Sequence, residues 1–322
     1  MINRCFLTCF LAIGVIRLSN AQWSVVNLHP AGAAESYVEG VSSGGQVGYA
    51  AVGGGYRVSL WTGTAASWIN ISPGGAQALG TYANGGQQVG YAGVGGNTRA
   101  SLWSGTSASW VDLHPVGATD SLAYGLGGGK QSGFAIVGGI PHASLWSGTS
   151  ASWVDLHPFG STESKAFGLD GAQQFGSTRV GGVLYACMWS GTSGSVVNLS
   201  PAGATEAEIE AASGGQQVGR AHFGGVIHAS LWTGSAASWV DLHPAGSSES
   251  YVYGVEGGQQ VGRAKMSGAF HAGIWTGTAG SWVDLHSFLP GNFNESNAQG
   301  IWHDAQGVTY AVGYAFNTTT QR

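Results

Sequence analysis

The residues best suited to chemistry recur along the chain as pairs of aspartate and histidine two positions apart. The pairs are Asp112/His114, Asp155/His157, Asp241/His243 and Asp284/His286. Because residues two apart in a strand share a face, the two side chains of one pair could reach the same metal ion. A metal site needs three or four converging ligands, however, and each pair belongs to a different repeat. Other copies carry Asn27, Asn70 or Asn198 at the aspartate position, which keeps hydrogen bonding but weakens ligation. The pattern therefore favours a structural role, and we predict no metal and no cofactor.

A second candidate set occupies the position four residues before a recurring tryptophan. Its members are Arg57, Arg99, His142, Tyr185, His228 and His271. All six side chains can donate hydrogen bonds and contact aromatic rings. If the repeats close into a ring, these residues form a polar-aromatic ring that could bind a glycan or a peptide. The alternative, which repetition favours, is that they serve contacts within and between the repeats.

Catalytic carboxylates are not evident from the sequence. Five acids recur at equivalent loop positions and read as solvated turn residues: Glu35, Asp120, Glu163, Glu206 and Glu249. Glycoside hydrolysis would need two carboxyl groups facing each other across a sugar. The one asymmetric polar cluster, Glu208, Glu210 and His222, gives no reason to assign that role. We also find no Gly-x-Ser-x-Gly elbow before a helix and no phosphate-binding loop, and so we predict no catalytic residues.

The elements that must position these residues form an internal repeat. The marker tryptophans are Trp61, Trp103, Trp146, Trp189, Trp232 and Trp275, spaced 42 residues apart once and 43 residues apart thereafter. Each unit contains four short alternating runs separated by glycine-rich turns, which is the signature of strands and tight hairpins. Four strands in about 43 residues match one propeller blade. We predict an all-β protein, a β-propeller of about seven four-stranded blades, with a β-solenoid as the alternative.

Composition and the chain ends narrow the class further. Glycine contributes 57 of 322 residues and tryptophan 13, whereas 8% are charged and the net charge is −5. No basic surface is available for nucleic acid. Residues 1–21 read as a signal peptide, with Arg4, an apolar stretch over residues 5–16 and a small-residue site ending at Ala21. We expect a secreted, extracellular monomer without membrane insertion. Residues 22–322 would form one propeller domain with a degenerate or incomplete last blade.

Three short motifs resemble the extracellular HAF-type repeats of secreted bacterial proteins. The matching stretches are Ala123-Tyr-Gly-Leu126, Gln217-Val-Gly219 and His142-Ala-Ser-Leu-Trp146. The phenylalanine of the family motif is Ser144 here, and the histidine is Arg57, Arg99 or Tyr185 in other copies. The resemblance covers the chain after residue 21 and implies an exported β-repeat domain. It brings no catalytic residues.

Together these observations predict a non-catalytic module that binds or scaffolds carbohydrate or protein at the cell surface. Two alternatives remain open. One is a glycan-active hydrolase or lyase that uses loops on a propeller face. The other is a purely structural extracellular repeat protein without a discrete ligand.

Overall fold

The structure is a computed structural model that describes residues 9–14 and 22–316. Those residues form seven four-stranded antiparallel sheets. Six of the sheets, which we call blades 1 to 6, each use one continuous stretch of chain, and their four strands follow one another in order. The propeller class is thus confirmed, and the solenoid alternative is wrong. The prediction of about seven equivalent blades holds for six of them, because the remaining sheet has a different origin.

Each blade contains three long strands and a two-residue fourth strand. Blade 1 comprises β3 (Ser36–Ser42), β4 (Gly45–Val52), β5 (Gly55–Trp61) and β6 (Ile69–Asn70), and blade 2 comprises β7 (Ala78–Asn84), β8 (Gln87–Val94), β9 (Asn97–Trp103) and β10 (Val111–Asp112). Blade 3 comprises β11 (Ser121–Gly127), β12 (Lys130–Val137), β13 (Ile140–Trp146) and β14 (Val154–Asp155), and blade 4 comprises β15 (Glu163–Asp170), β16 (Gln173–Val180), β17 (Val183–Trp189) and β18 (Val197–Asn198). Blade 5 comprises β19 (Glu206–Ser213), β20 (Gln216–Phe223), β21 (Val226–Trp232) and β22 (Val240–Asp241), and blade 6 comprises β23 (Ser247–Glu256), β24 (Gln259–Met266), β25 (Ala269–Trp275) and β26 (Val283–Asp284).

The helical segments in the described part of the chain are single 3-10 turns. Six of them connect the third and fourth strands of the blades, at Ala65–Ser67, Ser107–Ser109, Ser150–Ser152, Ser193–Ser195, Ala236–Ser238 and Ala279–Ser281. Two more, Pro73–Gly75 and His286–Phe288, lie in links that leave a blade. Within residues 9–14 and 22–316, no helix has the length and apolar character needed to cross a membrane.

A seventh sheet, which we call the closing sheet, joins the two ends of the chain. Its strands are β1 (Cys9–Gly14), β2 (Gln22–Asn27), β27 (Glu295–His303) and β28 (Thr309–Phe316), in the order β2-β1-β28-β27. The innermost strand β27 contacts both blade 6 and blade 1, so the ring is complete. Part of the predicted signal peptide, residues 9–14, is therefore a strand here. The rest of that segment lies outside the described residues, and the signal peptide stays a prediction.

The core consists of one apolar cluster at each contact between neighbouring sheets. All six marker tryptophans are fully buried, and each packs against the preceding sheet. Trp146 of blade 3, for example, lies in one cluster with Val89, Leu102 and Leu113 of blade 2. Buried aromatic surface thus holds neighbouring blades together, in a protein with too few charged residues to do so by ion pairs. Cys187 is buried as well, and this burial raises the pKa of its thiol to about 12.

Candidate functional site

The innermost strand of every sheet contains a β-bulge near its middle. A bulge inserts one extra residue and re-aims its side chain. The seven bulge residues, which we call the bulge ring, are Glu39, Thr81, Tyr124, Phe167, Glu210, Tyr253 and Gln299. All seven line a single cavity of about 290 Å³ to which every sheet contributes. A cavity bordered by all seven innermost strands lies on the propeller axis, and we call it the axial cavity.

Glycines on the second strand allow this bulge to form. In blade 3 the glycine is Gly133, which pairs with Ala123 just before the bulge. A Cβ atom on Gly133 would lie 1.9 Å from the carbonyl oxygen of Leu122. The equivalent glycines of the other sheets show the same contact at 1.9 to 2.0 Å: Gly48, Gly90, Gly176, Gly219, Gly262 and Gly313. Only glycine permits such close backbone approach, so the repeated glycine and the axial position of the bulge residue depend on each other.

The bulge ring has a polar side and a mainly aromatic side. Gln299, Glu39 and Thr81 come from three consecutive sheets, namely the closing sheet and blades 1 and 2. Tyr124 and Phe167 follow on blades 3 and 4, and their neighbourhood is aromatic because the Tyr124 ring meets Phe167 edge-on at 5.2 Å. A ligand in the axial cavity would therefore contact apolar ring faces on one side and hydrogen-bonding groups on the other.

Glu210 belongs to a compensated charge network in blade 5. Arg220 donates one hydrogen bond to Glu210 at 2.6 Å and another to Glu208. Glu208 also accepts a hydrogen bond of 2.8 Å from the Ser177 hydroxyl. Burial and the neighbouring Glu208 raise the pKa of Glu210, while Arg220 acts in the opposite direction. Of the asymmetric cluster Glu208, Glu210 and His222 that the sequence indicated, Glu210 is the member that lines the axial cavity. The third member, His222, lies near Glu206 instead, with Nδ1 and the carboxylate 4.0 Å apart.

Glu39 occupies the same ring position in blade 1 but has no such compensation. No residue among 9–14 and 22–316 gives its carboxylate a hydrogen bond or an ion pair. Burial is the single cause that raises the pKa of Glu39, to about 7. The side chain is nevertheless reached from the axial cavity that it lines. At neutral pH this carboxyl group is therefore poised to exchange a proton or to accept a cation.

The predicted polar-aromatic ring lies away from the axial cavity. Its six members are on β5, β9, β13, β17, β21 and β25, the third strands counted from the axis. Three of them bond to the aspartate of the fourth strand: His142 to Asp155, His228 to Asp241 and His271 to Asp284, each at 2.8 Å. Arg99 pairs with Asp112 at 2.7 Å, and Arg57 donates to the carbonyls of Gly75 and Ala76. These contacts match the packing interpretation, and a ligand-binding role for this ring stays a prediction.

The Asp-x-His pairs connect neighbouring blades. Asp155 Oδ1 accepts the His157 backbone N–H at 2.8 Å. His157 Nε2 lies 3.1 Å from the Ser161 carbonyl, which can only accept, so Nε2 carries the proton and Nδ1 accepts from the Ser164 hydroxyl at 2.8 Å. Ser164 on blade 4 in turn accepts the Ala143 N–H of blade 3 at 2.9 Å. Asp155, His157 and Ser164 thus form a hydrogen-bonded connection between blades 3 and 4, and we call this connection a latch. Within residues 9–14 and 22–316, no three His, Cys, Asp or Glu side chains converge as a metal-binding group.

The repeats contain two versions of this latch. The histidine version pairs His29 with Ser36, His114 with Ser121, His157 with Ser164, His243 with Ser250 and His286 with Ser296. In the other version Ser72 or Ser200 accepts the strand N–H directly, from Val58 at 2.9 Å or Ala186 at 3.0 Å. The second serine is then unnecessary, and Ala78 and Ala207 stand in its place. Both versions satisfy the same buried amide.

The histidine latches should contribute less stability as the solution becomes acidic. Burial lowers the pKa of His29, His157, His243 and His286 below the usual 6.5. At these four positions the unfolded chain binds more protons than the folded chain below about pH 6.5, so the stability that the histidines contribute is lost as pH falls from 6.5 toward 5. Glu39 and Glu210, whose pKa values are raised, contribute in the opposite direction, so the histidine contribution is measured as the difference between the unmodified protein and a variant that lacks one histidine. Urea unfolding at pH 8, 7, 6 and 5 measures this dependence.

A double substitution provides the matched control for the pH series. His157→Ser with Ser164→Ala copies the serine latch that this chain already uses, so the Ala143 amide stays paired and one titrating group disappears. We expect the double variant to fold and to show a weaker dependence on pH. Ser164→Ala alone leaves that buried amide unpaired and should cost about 1 to 3 kcal/mol at any pH. An unchanged pH dependence in the double variant would contradict the assignment.

Comparison with known proteins supports the fold class alone. No protein-family model and no curated protein matches the chain. Among solved structures, the chain is similar to a putative TolB from Agrobacterium tumefaciens, with a TM-score of 0.53 and 12% identity over 73% of this chain and 88% of that one. It is also similar to a puromycin hydrolase (TM-score 0.58, 11% identity, 97% of this chain and 58% of that one) and to a puromycin-hydrolyzing peptidase from Mycobacterium tuberculosis (TM-score 0.58, 12% identity, 92% and 53%). The chain thus spans little more than half the length of these two hydrolases. At such identities the likeness defines a β-propeller protein.

Proposed function

We propose that this protein is a non-catalytic binding module and that its ligand, a carbohydrate chain, enters the axial cavity. The observation that carries the proposal is the bulge ring. Six blades with the same buried tryptophan place four different residue types at this one repeated position, and the closing sheet adds a fifth, Gln299. Identical residues serve the repeated packing. A position that varies from blade to blade makes the shared cavity asymmetric, so a ligand would bind there in one orientation.

The chemistry of the cavity supports a carbohydrate ligand. Sugar rings have apolar faces and hydroxyl edges, and the bulge ring presents both kinds of partner. Tyr124, Phe167 and Tyr253 provide ring faces, with a phenol hydroxyl on the two tyrosines. Gln299 can donate and accept hydrogen bonds, and the Thr81 hydroxyl, which donates to the Ala123 carbonyl at 2.8 Å, can accept one. A site of this type, with an apolar lining and a few directed polar groups, is the common form of a ligand pocket.

A glycan array followed by calorimetry on the best ligand tests this proposal. The double substitution Tyr124→Ala and Phe167→Ala should weaken binding at least about 30-fold, because each aromatic contact contributes roughly 1 kcal/mol. Arg57→Gln is the control, since Arg57 lies outside the axial cavity. Equal affinities of the double variant and the unmodified protein would exclude the cavity. A loss confined to Arg57→Gln would instead place the ligand at the ring on the third strands.

A glycan-active enzyme is the second candidate, because two carboxyl groups with raised pKa, Glu39 and Glu210, line one cavity. Incubation of array-positive oligosaccharides with the protein, followed by mass spectrometry of the products, separates binding from cleavage. For a binding module we expect intact oligosaccharide. Product formation that disappears in both Glu39→Gln and Glu210→Gln would make the protein an enzyme.

We further propose that the protein is exported by its N-terminal segment, in keeping with the HAF-type resemblance. Cleavage after Ala21 would remove β1, which pairs with both β2 and β28. Cleavage and a permanent β1 are thus alternatives for residues 9–14. The intact mass of protein from the culture medium decides between them: we expect a chain that begins at Gln22. A secreted chain that retains residues 9–14 would contradict cleavage and make β1 a permanent strand of the closing sheet.

A further inference from the structure

The two glutamates of the bulge ring occupy equivalent positions but differ in their partners. Arg220 neutralises Glu210 at 2.6 Å, whereas Glu39 has no hydrogen bond or ion pair within the described ranges 9–14 and 22–316. Carboxylates withdrawn from water are normally paired, because an unpaired charge in a poorly solvated site is costly. Glu39 therefore lacks a positive charge that a ligand in the axial cavity could provide.

Three tyrosines line the axial cavity together with Glu39, namely Tyr82, Tyr124 and Tyr253. Burial is the main cause that raises the pKa of each of these phenols, so they stay neutral. Neutral aromatic rings that share a cavity with a carboxylate form a favourable environment for an ammonium group, since the ring faces carry negative potential.

We infer that the carbohydrate ligand presents a protonated primary amine to Glu39, and that the site therefore selects amino sugars with free amino groups over their N-acetylated forms. This inference rests on the proposed function and names the ligand class for the same cavity. The amine would donate charge-assisted hydrogen bonds to Glu39, which are about twice as strong as neutral ones. An acetamide offers one neutral N–H and would leave the carboxylate uncompensated.

The remaining charges direct the amine to Glu39 rather than to Glu210. Arg220 donates hydrogen bonds to both Glu210 and Glu208, so these two carboxylates already have a cationic partner. The other cations of this region lie on blades 4 and 6 against aromatic rings: Lys165 is 5.5 Å from the Phe134 ring centre, and Arg263 is 4.0 Å from that of Phe270. Blade 1 provides the bulge-ring carboxylate without an arginine partner, so the cation-accepting part of the cavity is on that side.

Calorimetry at pH 7 with a matched pair of oligosaccharides tests the inference. The pair is the glucosamine hexamer and the N-acetylglucosamine hexamer, which differ only in acetylation. We expect the unmodified protein to bind the free amine form at least about tenfold more tightly, and Glu39→Gln to abolish this preference. Glu35→Gln is the matched control. It removes the same charge four residues earlier in the chain, outside the residues that line the cavity, and should keep the preference.

The outcomes separate this inference from the proposal on which it rests. If both hexamers bind equally and Tyr124→Ala with Phe167→Ala abolishes binding, the carbohydrate site stands and the amine inference is overturned. A preference that survives in Glu39→Gln overturns it too. If no oligosaccharide binds, both proposals fail. Misfolding is excluded by thermal unfolding, since removal of an unpaired charge should leave the melting temperature of Glu39→Gln unchanged or raise it.

Discussion

Replacing Gly133 with alanine is expected to lower the free energy of unfolding by about 3 kcal/mol or more. The new methyl carbon would lie 1.9 Å from the Leu122 carbonyl oxygen and 2.9 Å from the Ala123 Cα atom. Both contacts are to backbone atoms, so no side-chain rotation can relieve them. Strands β11 and β12 would have to separate at the bulge, with loss of the hydrogen bonds around it. Urea unfolding monitored by tryptophan fluorescence measures the change.

Gly194→Ala is the matched control for this substitution. Gly194 has an ordinary backbone conformation, and a Cβ atom on it meets nothing within 4 Å. Four other copies of the repeat carry alanine there: Ala66, Ala108, Ala151 and Ala237. We expect this variant to match the unmodified protein or to exceed it by a few tenths of a kcal/mol. Similar losses in both variants would show that chain flexibility, and not the close approach of the strands, explains why this glycine recurs in every sheet.

Gly133→Ala should also move Tyr124, because the bulge aims this side chain at the axial cavity. A variant that remains folded at low temperature should bind the array ligand more weakly even though Tyr124 itself is unchanged. Calorimetry at a temperature well below the unfolding transition separates this positional effect from loss of folded protein. Ligand affinity equal to that of the unmodified protein would indicate that the bulge geometry does not depend on Gly133.

The sequence revealed the repeat because its signals are local. The marker tryptophans, the alternating runs and the Gly-Gly turns each lie within one unit, and they predicted strands, blades and inter-blade packing correctly. The closing sheet depends instead on pairing between residues 9–27 and 295–316. Such long-range pairing leaves no local pattern, so the sequence predicted a degenerate or incomplete last blade but not the pairing of β1 with β2 and β28.

The sequence did not reveal the axial cavity, for a related reason. A regular strand alternates its faces, so the position of Tyr124 in Ala123-Tyr-Gly-Leu126 gives no sign that it faces the axis. A bulge is needed, and it becomes visible only when Gly133 is seen opposite it. The usable signal was variation: the second residue of this motif changes between copies while its neighbours recur. The recurring polar residues that the sequence singled out, such as His142 and Asp155, bond to each other within one blade and do not line the axial cavity.

Replacing Trp146 with alanine should cost about 3 to 5 kcal/mol, the usual range for a buried aromatic residue. Its side chain is fully buried, and it packs across the boundary between blades 2 and 3 with Val89, Leu102 and Leu113. Trp153, which is only partly buried, contacts the same cluster and donates its indole N–H to Ser144 at 2.9 Å. The cavity left by Trp146→Ala cannot close without bringing two sheets together, and the neighbouring sheets of a closed ring resist that movement.

Trp146→Phe separates apolar contact from hydrogen bonding. The indole nitrogens of all six marker tryptophans are buried and have no hydrogen-bond partner among the residues that the structure describes. Phenylalanine keeps much of the apolar contact and removes an unpaired donor, so we expect a loss of about 1 kcal/mol, well below that of alanine. Urea unfolding of both variants, each compared with the unmodified protein, measures the difference. If phenylalanine were as costly as alanine, the indole N–H would have a stabilising partner, and the contact between blades would depend on that bond rather than on buried aromatic surface.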